Sequence, residues 1–407
     1  MKFATTTIPC RFGILGGDNS SVMEFRAHQT YVVPDYYTQG IALEMRQLSG
    51  HVRFSGIGHY TRPYHGQDLH GKRLLAWRGC GIGDQLMWGG LLAAIKQRFP
   101  TCQITNLCAP NINHHLYAGA ELPFTATPVP LPRAQWDAHD YHLIGEHLCE
   151  TDREPDQPDV WTGMFRYAGL SDMLLAGYIP RPVSPLRQVD RLFAAEWLAS
   201  HSTSSGPSAS RAAGVPPLSG IRAIRGSSSP SRPHIVFQLS ASSPIRTYDP
   251  WDTAHLLPLL VQTFFPTHDI VISATRRDRE AFADALQTPG IIIADDLNIR
   301  PAMALVATAA ALVCPDSCLG HLAAAENTPT ISLWGSFLPE DRVGYYSNHH
   351  PLVGDPAHCD RAPCRAHEPG TPQGCPRCGE DPNACRYCAV LATITPEAIV
   401  DQVKEIL

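Results

Sequence analysis

The sequence predicts an α/β protein built from two doubly wound domains that face a cleft. Apolar strand-like runs alternate with helical segments in two series, one starting at Lys72 and the other near residue 234. Such alternation is typical of parallel sheets with helices on both faces. Between the series, residues 199–233 are rich in serine, glycine and proline, a composition that favours a flexible linker or a surface insertion.

The composition is that of an ordinary globular protein. Of 407 residues, 44% are hydrophobic and 17% are charged, which is enough for two cores and a small third module. The formal net charge of −6 gives no basic field for nucleic acid or anionic lipid. No run of about 18 apolar residues predicts a membrane span, and the first residues are too weakly apolar for a signal peptide. A cytoplasmic protein is therefore expected.

The first half of the chain predicts two parts. Residues 1–70 contain short alternating segments such as QTYVVP and HVRFSGIG between turn residues, which favours a small β-rich appendage. Residues 71–198 predict the N-terminal domain. In it, KRLLAW and CQITNLCA are typical of strands, and residues 84–99 have the pattern of a helix.

The second half predicts a C-terminal domain over residues 234–350, a cysteine-rich segment over 351–391 and a terminal helix over 392–407. Five apolar runs favour buried parallel strands: HIVFQLS, HDIVISAT, GIIIADDL, ALVCPDS and PTISLWG. In the terminal helix, Thr395 is the expected N-cap and Pro396 the first helical residue. The helix has an apolar packing stripe formed by Ile399, Val400, Val403, Ile406 and Leu407.

A glycine-rich turn follows the first strand of the N-terminal domain. In RGCGIGDQ, residues 78–85, glycine occupies positions 79, 81 and 83. A dinucleotide fingerprint needs glycine at its first, third and sixth positions, but the sixth position here is Asp84, whose carboxylate would repel a pyrophosphate. Two interpretations of Asp84 stay open. It caps the helix, or it is held ionised at the helix N-terminus and accepts a proton from a substrate hydroxyl.

A second motif, CPDSCLGHLAAAENTPTISLWGS, covers residues 314–336. Asp316 and Ser317 fall on a strand-to-helix turn, and His321 lies one helical turn further on. The small helix that follows can point its first N–H groups at a phosphate. A nucleotide diphosphate is therefore expected across the ends of neighbouring strands, with a buried structural role as the alternative for His321.

Together the two motifs resemble glycosyltransferase family 9, the ADP-heptose heptosyltransferases and their relatives. The resemblance covers residues 72–407 apart from the serine- and proline-rich insertion. It implies a GT-B fold in which the C-terminal domain binds the sugar nucleotide and the N-terminal domain binds the acceptor. It also implies a site with Asp84 as catalytic base and with donor or phosphate contacts from Gly81, Gly83, Arg246, Asp316, Ser317, Gly320 and His321.

Two positions depart from that family's pattern. In QLSASSPIRTYDPW, residues 238–251, Arg246 stands where the family typically has a lysine. A guanidinium can neutralise a diphosphate leaving group, and the alternative is an ordinary surface arginine. Cys318 stands where the family has glycine. If that position needs a positive φ, the cysteine is expected to be strained.

The activity that the resemblance implies is inverting transfer of a sugar, with ADP-heptose as the implied donor and no metal at the diphosphate. The implied acceptor is a hydroxyl group on lipopolysaccharide, another glycan or a protein. Two other classes stay open. One is a catalytically inactive protein on the same fold that binds a nucleotide sugar or a glycan. The other is a zinc-ribbon protein that binds nucleic acid, which the negative net charge disfavours.

Six of the 13 cysteines lie between residues 359 and 388. The pairs 375/378 and 385/388 have the CxxC spacing of knuckles that hold one tetrahedral ion, and the alternative is a set of free thiols or a local disulfide. The chain is also similar to the autotransporter heptosyltransferases, which bind iron through such a finger and assemble into rings. That similarity implies a structural Zn or Fe ion and leaves a homo-oligomer open. The choice of four ligands stays open among Cys359, Cys364, Cys375, Cys378, Cys385 and Cys388.

Overall fold

The chain divides into two compact units, Met1–Pro185 and Leu186–Leu407. The computed structural model describes residues 2–6, 10–13, 22–33, 52–56, 61–79, 81–145, 159–201, 232–295, 297–365 and 387–407. No helix in these ranges is both long and apolar enough to cross a membrane.

The strands of the first unit form an antiparallel sheet, a parallel sheet and a hairpin. In chain order they are β1 (Lys2–Thr6), β2 (Cys10–Gly13), β3 (Val22–Phe25), β4 (Thr30–Val33), β5 (Val52–Gly56), β6 (Arg73–Trp77), β7 (Gln103–Cys108), β8 (Thr125–Pro128), β9 (Leu131–Pro132) and β10 (Tyr141–Ile144). The antiparallel sheet has the order β5-β1-β4-β9, the parallel sheet has the order β10-β6-β7-β8, and β2 pairs with β3. The predicted strands at KRLLAW and CQITNLCA are β6 and β7.

The N-terminal strands share a core with the parallel sheet. Phe3 and Val32 lie in one buried cluster with Trp77 of β6 and Leu107 of β7. The segment predicted as a β-rich appendage over residues 1–70 therefore packs into the first unit where the structure describes it.

Helix α1 (Ile82–Arg98) follows β6 and begins two residues before its predicted start. Gly81 is its N-cap, so Asp84 lies in the first turn. A glycine is needed inside this helix because a Cβ at Gly90 would lie 2.0 Å from the carbonyl oxygen of Arg181. The remaining helical segments of the unit are α2 (Pro110–Ile112), a π-helical turn (Asn113–Tyr117), α3 (Arg133–Asp137), α4 (Val160–Tyr167) and α5 (Ser171–Leu175).

A six-stranded parallel sheet forms the centre of the second unit. Its strands are β11 (His234–Gln238), β12 (Asp269–Ser273), β13 (Ile291–Ala294), β14 (Ala311–Pro315), β15 (Thr330–Trp334) and β16 (His349–Val353). Their order is β13-β12-β11-β14-β15-β16. The five strands predicted from apolar runs are present. The sixth, β16, was missed because its sequence HHPLV contains two histidines and a proline and has no continuous apolar run.

The helices of the second unit contact this sheet and one another. They are α6 (Gln188–His201), α7 (Pro250–Phe264), α8 (Asp278–Ala281), α9 (Ile299–Ala307), α10 (Cys318–Glu326) and α11 (Pro396–Ile406). Short 3-10 turns lie at Pro244–Arg246, Ala285–Gln287, Pro339–Asp341, Pro356–His358 and Leu391–Thr393. Helices α7 and α11 share a buried cluster with Ile235 and Phe237 of β11.

Helix α6 belongs to the second unit, which begins upstream of the predicted domain boundary at residue 198. It packs against α9. Arg191 of α6 also pairs with Glu326 of α10 at 2.7 Å, and the Glu326 side chain is only 10% exposed. These contacts explain why the helix groups with the sheet that follows it in the chain.

Most of the features predicted for the terminal helix, α11, are confirmed. The Thr395 hydroxyl accepts a hydrogen bond from the backbone N–H of Ala398, as expected of an N-cap. The predicted stripe is buried at Ile399, Val400 and Val403 and partly buried at Ile406. It is wrong at Leu407, which is 48% exposed because the helix ends one residue earlier.

Candidate functional site

Asp84 lies in the first turn of α1, next to a buried arginine. Arg78 Nη2 donates to Asp84 Oδ1 at 3.2 Å, and the two side chains are 2% and 14% exposed. Arg78 is held in turn by Met164, whose Sδ lies 3.1 Å from Nη1, and by Gln85, which donates to the Arg78 carbonyl oxygen at 2.6 Å. The adjacent guanidinium and the positive end of the helix dipole both stabilise a negative charge on Asp84.

The glycines of this turn shape the start of α1. Gly81 is the N-cap, and a Cβ added there would lie 3.5 Å from Asp84 Oδ2. Gly83 lies in the first turn of the helix. The N-cap position therefore belongs to Gly81, and Asp84 instead makes an ion pair with Arg78. Cys80 lies outside the described residues.

In the second unit, three charged side chains meet at the carboxyl ends of adjacent strands. Asp316 and Arg246 were predicted from the sequence, and Arg342 was not. Asp316 follows β14, Arg246 lies on the turn after β11, and Arg342 lies in the loop after β15. Asp316 Oδ2 is 3.3 Å from Arg246 Nη1 and 3.6 Å from Arg342 Nε. All three side chains are at most 12% exposed. The result is a buried carboxylate flanked by two guanidinium groups.

The charges around Asp316 decide its protonation. Burial acts to raise the pKa of its carboxyl group, but attraction by Arg342, Arg246 and His321 outweighs burial, so the pKa lies below its ordinary value of 3.8. Asp316 is therefore a carboxylate at neutral pH, and it holds both arginines at this edge of the sheet.

Arg246 is fixed by several contacts and is not an ordinary surface arginine. Its Nη1 also reaches the backbone carbonyl oxygen of Asp316 at 3.2 Å, and its Nη2 donates to Ser242 Oγ at 2.5 Å. Its Nε is buried and has no hydrogen-bond partner among the residues that the structure describes. Arg342 lies over the ring of Phe337, 4.2 Å from the ring centroid.

The residues that begin α10 have distinct surroundings. Ser317 is the N-cap, but its hydroxyl donates to Gln238 Oε1 and makes no capping bond. His321 is buried, with Nδ1 3.0 Å from the Tyr346 hydroxyl. Gly320 lies close to Cys314 and His349, since a Cβ there would meet each at 3.4 Å. His321 and Gly320 therefore both make close contacts inside the second unit.

The expectation of strain at Cys318 is wrong. Cys318 is the first residue of α10, where the backbone is helical and no positive φ is needed. Burial raises the pKa of its thiol to about 11, so the group is neutral at pH 7.

Three of the six clustered cysteines line one pocket of the second unit. Cys359, Cys364 and Cys388 share it with Ile245, and with Ser336 of the loop after β15. The described residues by themselves hold no group of three or more His, Cys, Asp or Glu spaced to bind a metal ion. Cys375, Cys378 and Cys385 lie outside the described ranges.

The sequence of the second unit matches a known family. The sequence model of the family described as glycosyltransferase family 9 (heptosyltransferase) matches residues 209–368. The match covers less than half of the chain. The match contains Arg246, Asp316 and Arg342, and it confirms the resemblance predicted from the sequence motifs. No curated protein sequence has significant similarity to the chain.

Several solved structures share the fold of this chain over most of its length. The family 9 glycosyltransferase from Veillonella parvula DSM 2008 has a TM-score of 0.57 at 12% identity, covering 84% of this chain and 99% of its own. ADP-heptose lps heptosyltransferase II from E. coli has a TM-score of 0.51 at 16% identity, covering 82% and 98%. Dodecameric iron-containing heptosyltransferase TibC from enterotoxigenic E. coli, in complex with ADP-D-beta-D-heptose, has a TM-score of 0.53 at 13% identity, covering 100% and 91%. The likeness establishes an α/β fold with parallel sheets.

Sequence reasoning missed two arginines of these sites. Arg78 stands directly before the glycine turn, in RGCGIGD, where its position six residues ahead of Asp84 was the available signal. Arg342 lies in PEDRVGYY, after the strand that ends the second motif. Nothing local marks Arg342, because only the sheet order brings β15 beside β14 and so brings this loop to Asp316.

Proposed function

We propose that the chain is an inverting glycosyltransferase of GT-B fold, which transfers a sugar from a nucleoside diphosphate to a hydroxyl acceptor. The observation that carries the proposal is the pair Arg246 and Arg342 on the buried carboxylate of Asp316. Ligands of parallel α/β sheets bind at the carboxyl ends of the strands. Guanidinium groups match diphosphate oxygens in charge and geometry. The family 9 match supports the same class of reaction.

The proposed donor is ADP-heptose. Two structures with the same fold are described as an ADP-heptose lps heptosyltransferase and as TibC in complex with ADP-D-beta-D-heptose. The proposed acceptor is a hydroxyl group on lipopolysaccharide, another glycan or a protein. TibC is described as dodecameric, which supports self-association of this chain as part of the proposal.

In the proposed reaction, the acceptor oxygen attacks the anomeric carbon of the donor while the bond from that carbon to the diphosphate breaks. Asp84 takes the proton from the acceptor hydroxyl, and Arg78 orients its carboxylate. The nucleoside diphosphate is the leaving group. Its developing charge is stabilised by Arg246, Arg342 and the N-terminal N–H groups of α10, so no divalent metal is proposed at this position.

We also propose a structural Zn or Fe ion at the cysteine cluster. Cys359, Cys364 and Cys388 line one pocket, which supports their use as ligands together with members of the remaining CxxC motif. Thiolates suit both metals. TibC is described as iron-containing. When bound, the ion would hold the segment from residue 359 to 388 and would take no part in the transfer itself.

The experiment that tests the function is nucleotide binding and turnover with the purified protein. A panel of ADP, UDP and GDP and their sugar derivatives is titrated calorimetrically, and release of nucleoside diphosphate from each sugar nucleotide is followed. Binding of ADP and slow release of ADP from ADP-heptose are expected. Failure of every sugar nucleotide to bind would overturn the proposal.

Replacing Arg342 by alanine is expected to weaken ADP binding by about 10- to 100-fold, because a charge-assisted contact to the diphosphate is lost. The dissociation constant is measured by calorimetry at fixed ionic strength. Arg279→Ala is the matched control, since Arg279 pairs with Asp295 in the same unit and is 52% exposed. Equal affinity of the Arg342 variant and the wild type would remove Arg342 from the donor site.

Metal analysis tests the cysteine proposal. About one Zn or Fe ion per chain is expected in the purified protein, and Cys364→Ser and Cys388→Ser are each expected to lower this content strongly, because a structural site needs its full set of thiolates. Cys102→Ala in the first unit, where Cys102 is buried, is the control and should keep the metal. Metal contents unchanged in both serine variants would contradict the assignment.

A further inference from the structure

The segment that carries Cys364 is tied directly to the loop after β15. Arg365 follows Cys364, and its backbone N–H donates to the Ser336 carbonyl oxygen at 2.7 Å. Its guanidinium also forms a bidentate ion pair with the Asp341 carboxylate. Nε lies 3.1 Å from Oδ2 and Nη2 lies 2.9 Å from Oδ1. This fork-to-fork arrangement fixes orientation as well as distance.

Asp341 and Arg342 are consecutive residues, so the ion pair between Arg365 and Asp341 also restrains the backbone of Arg342. Asp341 ends the 3-10 turn Pro339–Asp341, and Arg342 leaves that turn to pair with Asp316. The Arg365 and Asp341 side chains are 25% and 20% exposed, which keeps their ion pair partly shielded from water. Any movement of Asp341 therefore moves the backbone from which Arg342 reaches the buried carboxylate.

The backbone of Arg365 supports a specific role for this contact. Its φ is +51°, in the left-handed region that residues other than glycine rarely adopt. Such a conformation persists only where the surroundings hold it, and it is concentrated at functional sites. Here the conformation allows the backbone N–H and the guanidinium of one residue to bind the same loop.

The other arginine of the site also has a neighbour at the cysteine pocket. Ile245, which precedes Arg246, is buried and lines the pocket together with Cys359, Cys364 and Cys388. Both guanidinium groups at Asp316 are therefore carried by backbone that contacts the cysteine segment.

We propose that Arg365 is a positioning residue for the donor site. Its ion pair with Asp341 holds Arg342 in place to receive the diphosphate, and thereby couples nucleotide affinity to the stretch that carries Cys359 and Cys364. The inference rests on the proposed function, because it takes Asp316, Arg246 and Arg342 as the place where the nucleotide binds.

The test is the affinity for ADP of the full chain, measured by calorimetry for Arg365→Ala, Arg342→Ala and the double variant. Arg365→Ala alone is expected to weaken ADP binding by about tenfold. Added to Arg342→Ala, it should cause no further loss, because its effect passes through Arg342. Arg365→Lys keeps the charge but not the fork, and an intermediate affinity is expected. Arg361→Ala, an exposed arginine of the same segment, is the control and should bind ADP like the wild type.

Two results would overturn the inference. One is an affinity of Arg365→Ala within twofold of the wild type. The other is an equal further loss when Arg365→Ala is added to Arg342→Ala, which would mean that Arg365 acts by general destabilisation. Asp341→Asn provides a second route to the same contact and should match Arg365→Ala. If the wild-type protein itself binds no nucleotide, the proposed function is wrong and this inference falls with it.

Discussion

Replacement of Asp84 by asparagine is expected to lower the rate of sugar transfer by about 100- to 10,000-fold, the range typical for loss of a general base. Asparagine has nearly the same shape and can still accept a hydrogen bond from Arg78, but it cannot take a proton from the acceptor hydroxyl. The affinity for ADP should not change, since the groups proposed to bind the diphosphate are Arg246 and Arg342. The measurement is nucleotide release with donor and acceptor, alongside calorimetry with ADP.

A matched control separates catalysis from loss of an ion pair. Asp172 pairs with Arg98 in the same unit, and its side chain is 63% exposed. Asp172→Asn should leave both transfer and ADP binding unchanged. If Asp84→Asn transfers sugar at the wild-type rate, Asp84 is not the base. If the wild type binds ADP but has no transfer to lose, the chain is a nucleotide-sugar-binding protein.

The sequence predicted those parts of the fold that depend on local pattern. The strands of the second unit other than β16 were found because a strand buried on both faces is a continuous apolar run. The start of α1 was placed at Asp84, two residues late, because the helix begins within the glycine turn, where Ile82 and Gly83 give no start signal. Thr395 gave a correct start for α11, since its hydroxyl oxygen accepts a hydrogen bond from a backbone N–H of the first turn, as is usual for an N-cap.

The parts of the site that sequence could not supply depend on contacts between distant segments. Arg342 meets Asp316 only because β15 lies beside β14, and Arg78 is notable only because the fold buries it against Asp84. Cys318 illustrates the reverse case. A family pattern suggested a strained turn, but the residue begins a helix and needs no special backbone conformation. The pocket shared by Cys359, Cys364 and Cys388 could likewise be found only from the folded chain.

Replacement of Asp316 by asparagine is expected to lower the free energy of unfolding by about 3–5 kcal/mol at neutral pH, the usual effect of removing one partner of a buried ion pair. The carboxylate is buried between two guanidinium groups that are themselves nearly buried, with Arg246 at 12% and Arg342 at 9% exposure. Without the negative charge of Asp316, the guanidinium groups of Arg246 and Arg342 repel each other and are poorly solvated. Urea unfolding followed by circular dichroism gives the difference, and Asp401→Asn on the surface of α11 should change it by less than about 0.5 kcal/mol.

The difference in free energy of unfolding between the wild type and Asp316→Asn should become smaller as the pH falls. The pKa of Asp316 is lower in the folded protein than its ordinary value of 3.8, so the unfolded chain takes up the proton first as the pH falls. The stabilisation by Asp316 is therefore complete above its unfolded pKa and is lost as the pH falls from there through the folded pKa. Wild type and Asp316→Asn should differ fully at pH 7 and progressively less below about pH 4. A difference that stays constant down to pH 3 would mean that the carboxylate charge does not hold the two arginines, and that packing around the side chain accounts for the loss.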